Sequence, residues 1–303
     1  MTAQPPPVFT SSHCLEHDPG PGHLEAPARL RAIHERVARE ALGGDALREA
    51  PLAPLEALLR VHPVRYVEAL EALAARGGGA LETDTIMNAA SFVAARAAAG
   101  AALAAVRFAC AGTGHAFAAI RPPGHHALAE QAMGFCLFAN VVVAAREAQA
   151  LGRKRILIVD WDVHHGNGTQ ALVERDSTIR FISLHQWPWY PGTGAANERG
   201  VGNVFNLPRS PGLPPEQYVT DLTETIGLAT REWTPEFVLI SAGYDSMLGD
   251  PLGGFTLEPG HYGELVGFLR ERFPAAPIVG VLEGGYAPER LAEGVLATLQ
   301  ALV

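Results

Sequence analysis

Five short apolar runs, each ending at or followed by a cluster of chemically reactive side chains, constrain this chain more than any other feature. They lie at residues 116–120, 156–160, 179–184, 237–242 and 278–282. The runs are continuous rather than alternating, as in strands buried on both faces. Between and before them the pattern predicts helices over 27–41, 64–75, 89–109, 138–151, 215–232 and 259–273, with one more after Pro288. Alternation of strand and helix predicts an α/β fold: an open, mostly parallel sheet with helices on both faces. With 303 residues, 48% of them hydrophobic, and no internal repeat or long low-complexity linker, a single domain over 1–303 is expected. The Pro-rich start, residues 1–7, is expected to be flexible.

The residues after each run carry the chemistry. Arg121-Pro-Pro-Gly-His125-His126 follows the first and Asp160-Trp-Asp162-Val-His164-His165 closes the second. His185 follows the third, Tyr244, Asp245 and then Asp250 the fourth, and Glu283-Gly-Gly-Tyr286 the fifth. In open α/β sheets the carboxyl edge of the strands is where ligands bind. Asp160, Asp162 and His164 stand at i, i+2 and i+4, so an extended backbone points all three to one side. Two carboxylates and an imidazole on one side form a good start to a divalent-metal site; a catalytic zinc usually takes three protein ligands and keeps a further position open, and Asp250 is a candidate for the third. The plainer reading, in which Asp160 caps the next helix and the others are solvated, must explain dense polar groups behind an all-apolar strand. Adjacent His125 and His126 suit proton transfer near neutrality; alone they would equally fit a loop satisfying its own backbone. Tyr286 could hold an oxyanion, although a Tyr after Gly-Gly is weak evidence by itself.

Composition excludes other classes. A formal net charge of −9 and dispersed basic residues argue against direct nucleic-acid binding. Cys14, Cys110 and Cys136, odd in number and widely spaced, suggest no disulfide framework and a reducing, cytoplasmic setting. The start shows no basic stretch followed by an apolar run, so no secretory signal is expected. The alanine-rich stretch 89–111 carries Arg96 and Arg107 and reads as a core helix rather than a membrane span. No GxSxG, P-loop or HExxH occurs. Cys136 could be a nucleophile, but the metal constellation already accounts for the site.

In order, several segments closely resemble the histone deacetylase family of the arginase–deacetylase superfamily, and the wording favours its class II branch and bacterial relatives. They are Arg121-Pro-Pro-Gly-His-His-Ala127, Met133-Gly-Phe-Cys136, Val159-Asp-Trp-Asp-Val-His-His-Gly-Asn-Gly-Thr169, Ile182-Ser-Leu-His185 and Pro191-Gly-Thr-Gly194. Ser241-Ala-Gly-Tyr-Asp245, Gly249-Asp-Pro-Leu-Gly253 and Leu282-Glu-Gly-Gly-Tyr286 follow, and the N-terminal Pro27-Ala-Arg29-Leu and Leu81-Glu-Thr-Asp-Thr85 extend the resemblance over nearly the whole chain. The resemblance implies the arginase/deacetylase fold and one zinc ion held by Asp162, His164 and Asp250, with Fe²⁺ or Co²⁺ open to an Asp₂His set. It further implies a structural K⁺ or Na⁺ near Asp160, Asp162, His164, Ser183 and Leu184. His126 matches the general base and acid, His125 its partner oriented by Asp160, and Asn167 a group contacting His126. Tyr286 matches the residue that binds the acetyl carbonyl, Phe135 and Tyr190 the aromatic walls of an acyl-lysine tunnel, and the Gly134 carbonyl the acceptor of the substrate amide. Arg29 resembles the arginine of an inner acetate channel. Asp84, with Thr85, matches the rim, and Leu257, next to Glu258, the mouth position that is acidic in polyamine specialists.

The implied activity is hydrolysis of an acetyl-amide, on acetyl-lysine or a related acylated amine, to acetate and free amine. Acetylpolyamines or other small amides are the alternative substrates. A two-metal arginase-type hydrolase would need more bridging aspartates, and a non-catalytic acyl-lysine binder would not need His126 and Tyr286.

Overall fold

The computed structural model describes residues 6–40 and 46–303. The strands in chain order are β1 (Val8–Thr10), β2 (Leu47–Glu49), β3 (Gly78–Ala80), β4 (Ile86–Asn88), β5 (Ala116–Ala118), β6 (Ile156–Asp160), β7 (Ile179–Gln186), β8 (Val204–Arg209), β9 (Phe237–Ala242) and β10 (Ile278–Leu282). The α-helices are α1 (Pro27–Arg39), α2 (Leu55–Leu58), α3 (Val64–Ala75), α4 (Ser91–Phe108), α5 (Asn140–Ala150), α6 (Asn167–Val173), α7 (Pro215–Ala229), α8 (Pro259–Arg272) and α9 (Pro288–Ala301).

Eight strands form one sheet in the order β2-β1-β5-β10-β9-β6-β7-β8. Every pairing in it is parallel, while β3 and β4 form a separate antiparallel pair. The apolar runs supply the middle of the sheet, and β6, β9 and β10 are buried along their whole length. Burying each Val, Ile or Leu there is worth about 1.5–3 kcal/mol. Helices α1, α9, α8 and α7 pack in succession as one group, and α4, α5 and α6 as another. The chain runs from β5 to β6 across the places later filled by β10 and β9. That crossover gathers the carboxyl ends of β5, β10, β9, β6 and β7 at one edge, where a crevice forms.

Two sequence expectations change. Pro6 and Pro7, within the start expected to be flexible, are buried, and the Phe117 amide donates to the Pro7 carbonyl. Residues 1–5 and residue 41, the last of the helix expected over 27–41, lie outside the described residues. Leu257, expected at the tunnel mouth, is fully buried and bridges to Met247. The neighbouring Glu258 is the N-cap of α8 in a reciprocal cap with His261 and pairs with Arg290. Both are committed to the fold by cap chemistry and a local bridge.

Helix α4 is long and apolar enough to cross a membrane by length and composition, yet 72% of that window is buried inside the fold. Its alanines let β1, β5 and α5 approach closely. At Gly100 an added Cβ would sit 2.0 Å from the Pro51 carbonyl oxygen. Alanine gains about 1 kcal/mol over glycine in a helix interior, but a backbone collision of this depth outweighs that gain. Gly100→Ala is expected to destabilise the protein by about 1–3 kcal/mol, read as a lowered denaturant midpoint.

Candidate active site

Each strand delivers its side chains to the edge at its own C-terminus. From β5 the turn Arg121-Pro-Pro-Gly carries His125 and His126. From β6 come Asp160, Asp162 and His164; from β9, Asp245 and Asp250; from β10, Glu283 and Tyr286. All are buried.

His125 Nδ1 lies 3.1 Å from Asp160 Oδ2, and its Nε2 lies 3.7 Å from Asp162 Oδ1. His126 Nδ1 lies 2.7 Å from Asn167 Oδ1. An amide oxygen there accepts, so Nδ1 carries the proton and Nε2 is left basic. The two imidazoles respond oppositely. Burial would lower His125, but the charges of Asp162 and Asp160 raise it well above the ordinary 6.5. Burial lowers His126 well below 6.5, and the neighbouring His125 and His164 lower it further.

Asp162 accepts the backbone amides of His164 at 2.9 Å and Gly284 at 2.8 Å. His164 Nδ1 stands 3.0 Å from Asp162 Oδ1 and 3.2 Å from Asp245 Oδ2. One ligand atom each from Asp162, His164 and Asp245 lies within 4.8 Å of the others. Asp250, the expected third ligand, is outside that trio. Its oxygens accept the amides of Tyr286 at 2.6 Å and Leu252 at 2.9 Å. Burial, with Asp162 beside it, raises Asp245 to about 7, and burial raises Asp160 to about 6. Crowded carboxylates of this kind are stabilised by a cation, and the two-oxygen, one-nitrogen donor set suits a divalent metal. Of the residues expected around a monovalent ion, Ser183 pairs with Asp160 across the strands, and its hydroxyl lies 2.9 Å from His185 Nδ1.

Above these groups opens a cavity of about 180 Å³. Phe135, Tyr190, Gly134 and Asp84 line it, together with His126, His164 and Tyr286. Trp189 and Leu252 also line it and were not singled out in the sequence. The indole N–H of Trp189 donates to the Leu252 carbonyl at 2.8 Å, joining two rim loops; the aromatic run Trp187-Pro-Trp-Tyr190 was the available signal. Phe135 holds φ +67°, a conformation that costs a non-glycine residue about 1–3 kcal/mol. It is held by a two-way bridge between Met133 and Cys136 and by donation of its amide to the Thr85 hydroxyl at 3.0 Å. Gly134 precedes it because a Cβ there would lie 2.4 Å from the His126 ring.

Arg29 lies beneath rather than on the cavity. Its guanidinium donates to the carbonyls of Gly285, at 2.6 Å, and Glu283, and sits 4.8 Å from the centre of the Tyr286 ring. Glu25 pairs with both Arg29 and Arg121. Burial would raise the Glu25 carboxyl, but Arg121, His17 and Arg29 hold it well below its ordinary value. Burial raises the Tyr286 hydroxyl well above 10, so it stays protonated.

An α/β fold with a buried Asp/His cluster beneath an aromatic-walled cavity holds the acid, base and donor groups that a hydrolase of amides needs. The sequence matches the histone deacetylase domain over residues 23–302. It is 41% identical to an uncharacterized protein of Synechocystis, over 98% of this chain and 99% of that one. It is 36% identical to the histone deacetylase-like amidohydrolase of Pseudomonas aeruginosa, over 97% of this chain and 85% of that one. The crystal structure of an HDA15 HD domain superposes with a TM-score of 0.94 at 35% identity, covering 99% of this chain and 88% of that one. The chain belongs to the histone deacetylase family, whose members hydrolyse acetyl-amides.

The His126 environment sets a pH signature. Its base form persists below 6.5, so the acid limb of kcat/KM is expected below that value. Asn167→Asp would place a carboxylate against Nδ1, favour the imidazolium and move the limb upward. A limb that does not move in this variant would remove His126 as the titrating base.

Proposed function

We propose that this chain is a zinc-dependent deacetylase acting on acetyl-lysine side chains or related acylated amines. The observation that carries the reading is the meeting of a neutral imidazole (His126), a protonated phenol (Tyr286) and His164 of the Asp/His donor cluster in the lining of one aromatic-walled cavity. Asp162 and His164 would hold the metal. Asp250 is the third ligand by family likeness and Asp245 by proximity. When bound, such an ion supplies Lewis acidity and activates water.

The chain's own residues do the remainder. His126 Nε2 takes the proton of the attacking water and returns it to the leaving amine. His125, cationic between Asp160 and Asp162, keeps a positive charge beside the reacting centre. Tyr286 donates its hydroxyl to the oxyanion. The rings of Phe135 and Tyr190 flank an aliphatic stem, and the Gly134 carbonyl faces the substrate amide. With the two ends of the bond held, reaction is effectively unimolecular. A monovalent ion near Asp160 and Ser183 would brace the floor.

The neck supports an uncharged stem, since Leu252 lines it while Leu257 and Glu258 do not. The exposed carboxylate of Asp84 at the rim suits a substrate with flanking positive charge, and it also admits acetylated polyamines. Turnover of acetyl-lysine peptide exceeding that of acetylpolyamine, and abolished by a chelator, is the expected result. Chelator-insensitive turnover would refute the metal mechanism, and two metals per chain would favour the arginase-type alternative. Tyr286→Phe is expected to lower kcat by about 10²–10³-fold. Comparing metal content of Asp245→Ala and Asp250→Ala assigns the third ligand: the variant that loses metal marks it.

A further inference from the structure

Glu283 is fully buried on the segment that leads to Tyr286. Its Oε2 accepts two successive backbone amides, from Gly124 at 2.6 Å and His125 at 3.0 Å. Its Oε1 has no hydrogen-bond partner among the described residues. The nearby guanidinium of Arg29 bonds the Glu283 main-chain carbonyl and the Glu25 carboxylate. A buried acid so placed is costly unless its acceptor role is needed.

The segment it grips explains the need. The turn before the histidine pair is irregular, so its amides cannot be satisfied by sheet or helix. The His125 carbonyl accepts the Thr169 amide at 3.1 Å, and the Ala127 amide returns to the Gly124 carbonyl at 3.1 Å. The side chain of His125 is held by Asp160. The amides of Gly124 and His125 both go to one oxygen of Glu283.

We propose that Glu283 is a positioning residue: its carboxyl oxygen clamps the Gly124 and His125 amides and so fixes where His126 Nε2 stands over the cavity floor. It acts through the backbone and touches no reacting atom. The proposal rests on the hydrolase reading only for its kinetic consequence.

Two variants of similar length separate the acceptor from the volume. Glu283→Gln keeps an oxygen able to accept both amides, and Glu283→Met keeps bulk without an acceptor. In the Met variant kcat is expected to fall by about 10²-fold, the scale of a small misplacement of a catalytic group, with KM nearly unchanged because Phe135 and Tyr190 are untouched. The Gln variant is expected to retain most of the wild-type kcat. Hydrogen–deuterium exchange of the peptide spanning 122–127 should accelerate in the Met variant and stay protected in the Gln variant. Exchange reads the clamp without any substrate, so a failed hydrolase reading and a failed clamp give different results. Equal exchange in wild type and both variants would overturn the proposal. So would equal loss of kcat in Gln and Met, which would mean that the charge matters and not the shared acceptor.

Discussion

Everything at the catalytic edge follows from the cost of burying several carboxylates together. Asp160, Asp162, Asp245 and Glu283 have no solvent exposure, and Asp250 has little. Buried charges of one sign repel and lose hydration, so each needs specific donors. Those donors are mostly backbone amides of the loops that follow the strands. Asp162 takes the His164 and Gly284 amides, Asp245 takes that of Val163, and Asp250 takes those of Leu252 and Tyr286. The bonds that make the charges tolerable therefore also give irregular loops a single conformation. Order at the site is a by-product of satisfying its acids.

A second layer works the same way with opposite sign. Arg29 and Arg121 are large, charged and fully buried, and both meet Glu25. Arg29 spends its remaining donors on the carbonyls of Glu283 and Gly285. The loop bearing Tyr286 is thus held from below by a cation and from the side by the Asp250 carboxylate. Helix α1, far away in sequence, is a structural part of the catalytic floor.

The central strands were legible because continuous apolar runs can be buried only on both faces; β6, β9 and β10 begin and end where the runs do. The edges were not. Strand β8 contains Asn206 and Pro208 and is paired on one side only, while β1 and β2 are three residues each, too short for a pattern. Residues directly after the strands were readable as a site because strand direction alone places them. Leu257 was misplaced because a bridge to Met247 and the α8 cap decide its depth, and no local pattern reports such a contact. The nearness of Asp245 to His164, and the roles of Trp189 and Leu252, depend likewise on loops meeting in space.

The left-handed backbone of Phe135 has a consequence for the cavity it walls. The direction in which the ring leaves the chain is set by a main-chain conformation held from both sides, by the Met133–Cys136 bridge and by Thr85. Replacing Phe135 with glycine would relax the backbone while removing the wall. A β-branched residue would keep some wall and aggravate the torsion. Width of the channel and comfort of the chain are thus opposed at one position, so this wall is poorly suited to gradual retuning for larger acyl groups. Variation in substrate range should arise instead at Tyr190 and Leu252, which line the same cavity without a left-handed backbone.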